Sequence, residues 1–162
     1  MQTSHTQHAQ STQHQQHYGK LLIMGVLSFI SMYILMYSMV NTFANVIPNV
    51  NQFYMAGLMT MPMMIIEVVV MSAMYMDKRR NALIAAASVV ALIGFFLLIR
   101  QQGAIGDKQF LKSMIPHHAG AILMAEQANL KDPEIRKLSE KIISDQQAEI
   151  KLMKAKLDQL DE

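Results

Sequence analysis

Cysteine is absent from all 162 residues, which removes disulfides, thiolate metal sites and thiol nucleophiles together. Charge is sparse and balanced, with 14 Lys and Arg against 12 Asp and Glu. No basic stripe with interleaved aromatics occurs, so nucleic acid is not an expected partner. The signatures His-Glu-x-x-His and Gly-x-Ser-x-Gly are missing. Neither His117 nor His118 has a Glu three residues before it, the spacing that di-iron helical bundles require. An enzyme is not expected.

Apolar residues are in excess, at 52% of the chain, and they are gathered in blocks rather than spread as in a soluble domain. Leu21 to Val40 is uncharged and, at about 1.5 Å per residue, covers a hydrocarbon core of about 30 Å. It is too long for the apolar region of a cleaved signal peptide and is expected to be retained. Two further segments complete a three-helix transmembrane region over 20–100, with spans at 21–40, 53–76 and 82–99. Residues 41–52, with Asn and Pro48 as turn formers, read as a short connection. The basic loop of Asp77, Lys78, Arg79 and Arg80 is cytoplasmic by the positive-inside rule. That puts the N-terminus inside and the chain after Arg100 outside, as in a multi-pass protein of a bacterial-type inner membrane. Residues 1–19, rich in Gln and His, bury too little to order and are read as a disordered tail. Its pairs His5/His8 and His14/His17 are spaced for transient metal contact. Glu67 falls near the middle of the second span, in a stripe with Met59, Met63, Met71 and Met74, where a carboxylate needs a hydrogen-bond partner or an ion.

After a linker at Gln101–Gly106, residues 107–162 change to an amphipathic helical hairpin. Asp107 is the expected cap of its first helix, and Asp132 with Pro133 opens the second. At about 100° per residue, Phe110, Met114, His117, Ala121, Met124 and Ala128 share an arc of about 80°, with His118 one step round it. Thioethers and imidazoles, the soft metal-ligand side chains, thus line one face. On the second helix Ile135, Ile142, Gln146, Glu149, Met153 and Leu160 lie within about 60° of one another. Antiparallel folding sets Gln146, Glu149 and Met153 opposite Met114 and His117. A carboxylate buried there needs a partner such as His117, or a cation. Pro116 inside the first helix is a local violation of the kind that functional sites contain.

The pattern Phe110-x3-Met114-Ile-Pro-His117-His118-x5-Met124-Ala125, followed by Asp132-Pro-Glu and by Ile143-x2-Gln146-x2-Glu149-Ile150-x2-Met153, resembles the domain-of-unknown-function-305 family. These are ferritin-like helical proteins that include the CopM-type copper-binding proteins. The resemblance covers the last third of the chain and leaves out the spanning helices. It implies an α-helical bundle and, for some members, copper handling outside the cytoplasm. Carried over by position, it makes Met114, His117, His118, Met124 and Met153 ligand candidates, with Gln146 and Glu149 as matching polar positions.

Thioether with neutral imidazole suits Cu(I), while imidazole with carboxylate suits Cu(II) or zinc, so copper is the expected metal. The expected protein is all-α and anchored in a membrane. Its hairpin binds copper for sequestration, delivery or resistance, with another copper-handling protein as a further partner. A hairpin of fewer than 60 residues buries too little to stand alone, so it is expected to complete a four-helix bundle by dimerisation. The alternative is a metal-free membrane protein whose hairpin serves interaction or self-association.

Overall fold

The polar tail and the first apolar run form one element. A computed structural model describes residues 3–75 and 77–160, with side chains from His17 onward, and helix α1 runs Thr3–Leu35. Residues read above as a disordered tail are thus helical from Thr3. They contain no proline, and no glycine before Gly19, so a helix propagates back from the apolar run at little cost once that run has formed. The side chains of His5, His8 and His14 lie outside the described residues. Two 3-10 turns, Met36–Met39 and Phe43–Asn45, lead to α2 (Val50–Val70); α3 (Lys78–Gln101), α4 (Asp107–Gln127) and α5 (Pro133–Gln159) follow. No strand occurs among the described residues.

Three helical stretches, His17–Met39, Val50–Val70 and Lys78–Gln101, are long and apolar enough to cross a membrane. Their bounds differ from the runs of hydrophobic sequence at the basic loop. Helix α2 stops at Val70, six residues short of the expected 76, in a turn closed by bonds such as Met74 N to Met71 O at 2.9 Å. The carboxylate of Asp77 accepts from the amides of Arg79 and Arg80, both at 3.0 Å. That capping draws the basic residues into the first turn of α3.

The chain forms two compact units. The first, Met1–Tyr33 with Tyr54–Gln101, contains most of the membrane-helix sequence. Its core is Leu21, Val68 and Tyr75, with Tyr18, Met24, Met64, Met71 and Ile84 packed against it. Two glycines mark close helix approach: a Cβ at Gly25 would lie 2.7 Å from Met64 Sδ, and one at Gly57 would lie 2.5 Å from the Phe95 ring. Glu67 sits on the last turn of α2 rather than at mid-span, and it bonds the phenol of Tyr75. Burial, then the charge of Glu67, raises the Tyr75 phenol above its ordinary value of 10.0. The Tyr18 hydroxyl donates to Asn81 Oδ1 at 2.7 Å, and Asn81 donates to the Tyr75 carbonyl at 2.6 Å. Of the expected methionine stripe, Met59 and Met74 are exposed.

The second unit joins Ile34–Phe53 to Gln102–Glu162. Helices α4 and α5 make the expected hairpin, and Asp132 caps α5, accepting from Glu134 N at 2.8 Å and Ile135 N at 3.0 Å. The cap of α4 is Gly106, not Asp107, which lies one residue later in the first turn where its charge favours the helix dipole. The segment read as a plain connection is a third layer. Val40 and Ile47 pack against a core of Ile115, Ala119, Ile122, Ile150 and Met153. Lys154 Nζ donates to the Ala44 carbonyl at 3.0 Å, and Val50 N donates to Gln109 Oε1 at 3.2 Å. Part of the apolar face assigned above to a dimeric four-helix bundle is therefore covered by the chain's own loop.

That packing constrains topology. The loop between the first two candidate spans and the hairpin touch, through Val40, Ala44 and Ile47, so they lie on one side of any membrane the helices cross. The chain between them, α2 and α3, must then cross twice or not at all. Three spans satisfy this; a span count that dropped only α2 or only α3 would not.

Candidate functional site

Helix α4 turns a different face inward from the one the soft side chains mark. Ile115 is 0% exposed and Ile122 1%, with Ala119 buried between them, whereas Phe110, His117 and Met124 point to solvent. The buried line on α5 is likewise Ser139, Ile150 and Met153, with Ile143 and Leu157 beside it, while Ile135 and Leu160 are exposed. The soft arc borders the apolar face and does not bisect it. Branched aliphatics seven residues apart, Ile115/Ile122 and Ile143/Ile150/Leu157, mark the real seam, and that spacing was present in the sequence.

Rotation of the helix exchanges the two histidines. His118, not His117, meets the opposing helix: its Nε2 lies 2.8 Å from Glu149 Oε2, and its Nδ1 lies 2.8 Å from the Met114 carbonyl. The His118 side chain is 12% exposed and that of Glu149 54%. A carbonyl oxygen only accepts, so Nδ1 carries a hydrogen, and Nε2 is the nitrogen turned to the carboxylate. The expectation that Glu149 is buried, with His117 or a cation as its partner, is corrected. It reaches His118 from the solvent side, where water also satisfies it. His117 stands edge-on to His118, with ring centroids 6.0 Å apart and planes at 73°.

Of the six ligand candidates, four gather around one place. His118 and Glu149 are paired, Met153 is buried in the adjacent core, and Met114 packs against that core as well as supplying its carbonyl to His118. His117 and Met124 are on the exposed side, and Gln146 is half-buried. Among the described residues no group of three or more His, Cys, Asp or Glu side chains is placed to hold a metal ion. The 2.8 Å between His118 Nε2 and Glu149 Oε2 is a hydrogen-bond distance. Two ligand atoms each about 2.0–2.2 Å from one tetrahedral ion stand about 3.3–3.6 Å apart, so the pair would open by about half an ångström to hold one. Pro116 is buried within an unbroken α4, next to this pair.

The Ser139 hydroxyl donates to the Ala125 carbonyl at 3.1 Å and ties the turn end of the hairpin. Beside it a shallow apolar groove of about 300 Å³ runs between Ala121, Met124, Ile135, Leu138 and Ile142.

The Domain of unknown function (DUF305) family matches residues 36–157, beginning at the first 3-10 turn and ending near the end of α5. The match therefore takes in the packed loop, α2 and α3 as well as the hairpin, and is not confined to the last third as expected. The chain is also similar to uncharacterized protein L153 of Acanthamoeba polyphaga mimivirus, with 36% identity over 145 residues that cover 86% of this chain and 91% of that protein. No solved structure matches. Both likenesses extend well beyond the hairpin, and the chain belongs to the DUF305 family.

Proposed function

We propose that this protein is a membrane-anchored metal-binding protein whose helical hairpin takes up copper, Cu(I) in preference to Cu(II), without catalysing a reaction. The observation that carries the reading is the setting of His118. Its Nδ1 is committed to a backbone carbonyl, which orients the ring and leaves Nε2 as the ligating atom, an arrangement that protein metal sites use repeatedly. Glu149 Oε2 is 2.8 Å from that nitrogen, and the sulfurs of Met114 and Met153 belong to side chains of the same neighbourhood. One imidazole, one carboxylate and thioethers form a donor set softer than zinc prefers. The basic first turn of α3 favours a cytoplasmic position for that end, which puts the hairpin on the outer side, where it would sequester copper or hand it to another copper-handling protein.

The test is copper binding by the full-length protein in detergent, measured with a competing chelator of known affinity. His118→Ala should weaken Cu(I) binding at least tenfold, Met114→Leu should weaken Cu(I) more than Cu(II), and His117→Ala should have little effect. Equal affinity in the native protein and in a His118, Glu149, Met153 triple variant would end this reading.

The apolar groove at the turn end favours a second reading. A hairpin with exposed Met124, Ile135 and Leu138 on one side has the surface of a self-association or interaction module, and two copies related by a two-fold axis would cover it. Cross-linking in membranes from positions around Leu138 distinguishes a dimer from a monomer.

A further inference from the structure

The membrane-helix unit contains a second concentration of soft side chains. Apart from Met1, ten of the 16 methionines fall in it, all between Met24 and Met76. Several of these, including Met55, Met59 and Met74, are exposed. Met24 of α1, Met64 of α2 and Met71 instead pack against one buried core of Leu21, Val68 and Tyr75. Met71 N donates to the Glu67 carbonyl at 2.9 Å, so Met71 continues the last turn of α2. At about 100° per residue Met64, Val68 and Met71 lie within about 60° on that helix. Glu67, three residues after Met64 and four before Met71, borders the same stripe.

Three features set this cluster apart from filler. Gly25 leaves the backbone of α1 bare where the Met64 sulfur lies, 2.7 Å from the position a Cβ would take. A groove of about 340 Å³, lined by Leu21, Met61, Met64, Ile84 and Ser88, opens next to that sulfur. Ordering a methionine side chain sacrifices about 1.5–2 kcal/mol of rotamer freedom against about 0.5–1 for leucine, so leucines would fill the same volume at lower cost.

We propose that Met24, Met64 and Met71 form a soft-cation site within the membrane unit, for a monovalent ion of the Cu(I) class, with the Glu67 carboxylate balancing its charge. Thioethers select such ions over hard cations, and an ion held among apolar helices needs a compensating anion close by. The site shares no residue with the hairpin and stands whether or not the hairpin binds metal.

The probe is Ag(I), a redox-inert counterpart of Cu(I), titrated into full-length protein in detergent. In a His118→Ala/Glu149→Ala background one tight equivalent should remain. Replacing Met24, Met64 and Met71 by Leu, which conserves volume, should abolish it. Gly25→Ala retains every sulfur but places a methyl group against the Met64 sulfur, and should weaken binding about tenfold. X-ray absorption at the silver edge, in the background that keeps all three methionines, should show sulfur ligands. That measurement needs no methionine variant, so a triple variant that fails to fold leaves the test standing. Unchanged binding in the methionine or Gly25→Ala variant, or coordination by nitrogen and oxygen alone, overturns the proposal.

Discussion

Replacing Ile122 by Ala and, separately, Met124 by Ala tests which face of α4 is the core. The two residues are two positions apart, yet Ile122 is 1% exposed and Met124 55%. Truncating Ile122 removes three carbons from contact with the buried cluster, about 2.4 kcal/mol at about 0.8 kcal/mol per group. Its helical neighbours Ala119 and Gly120 have almost no side chain with which to fill the gap, so a cavity term adds to this and the total should be about 3–4 kcal/mol. Met124→Ala removes mostly solvated surface and should stay within about 0.5 kcal/mol. Amide hydrogen exchange on the full-length protein in detergent reads both changes, because α4 and α5 amides exchange through opening of the hairpin. Ile122→Ala should speed their exchange by more than about a hundredfold and Met124→Ala by less than about threefold. If Met124→Ala were as damaging as Ile122→Ala, the arc of soft side chains would be the core after all and the assignment of His118 as the paired histidine would fail with it.

Three further outcomes follow from the same geometry. Because the chain has no native cysteine, single cysteines at Ala44 and Lys154 should both react with an impermeant maleimide from one side of sealed vesicles and a cysteine at Lys78 only from the other; opposite sidedness for Ala44 and Lys154 would refute the packing of the loop on the hairpin. Asp132→Ala removes the acceptor for two amides at the start of α5 and should lower hairpin stability by about 1 kcal/mol, read as faster exchange in the first turn of that helix. Tyr75, whose phenol burial and Glu67 push above the usual value, ionises less readily folded than unfolded; its contribution is complete below about pH 10 and lost as pH rises through the folded value, so Tyr75→Phe should flatten the fall in melting temperature at alkaline pH.

The sequence by itself determined the elements. Uncharged runs of membrane-crossing length, the basic stop between two of them, and a Pro after a capping Asp are local signals. Each is written in consecutive residues and survives any tertiary arrangement, so the three candidate spans and the start of α5 were legible. The donor types of the candidate site were legible too, for the same reason. Only the tertiary structure decided which face of α4 turns inward, since a rotation of one residue, about 100°, separates His117 from His118 and periodicity alone tolerates an error of that size. Likewise Glu149 looked buried because it lies on an apolar arc, but the seam of Ile115, Ile122 and Ile150 brings the helices together one step away and leaves its carboxylate at the rim. The largest omission was the loop between α1 and α2. Nothing in residues 36–49 announces that Val40 and Ile47 pack on a core that begins only at Ile115, because long-range contact is a property of shape complementarity between surfaces that exist only once both pieces have folded.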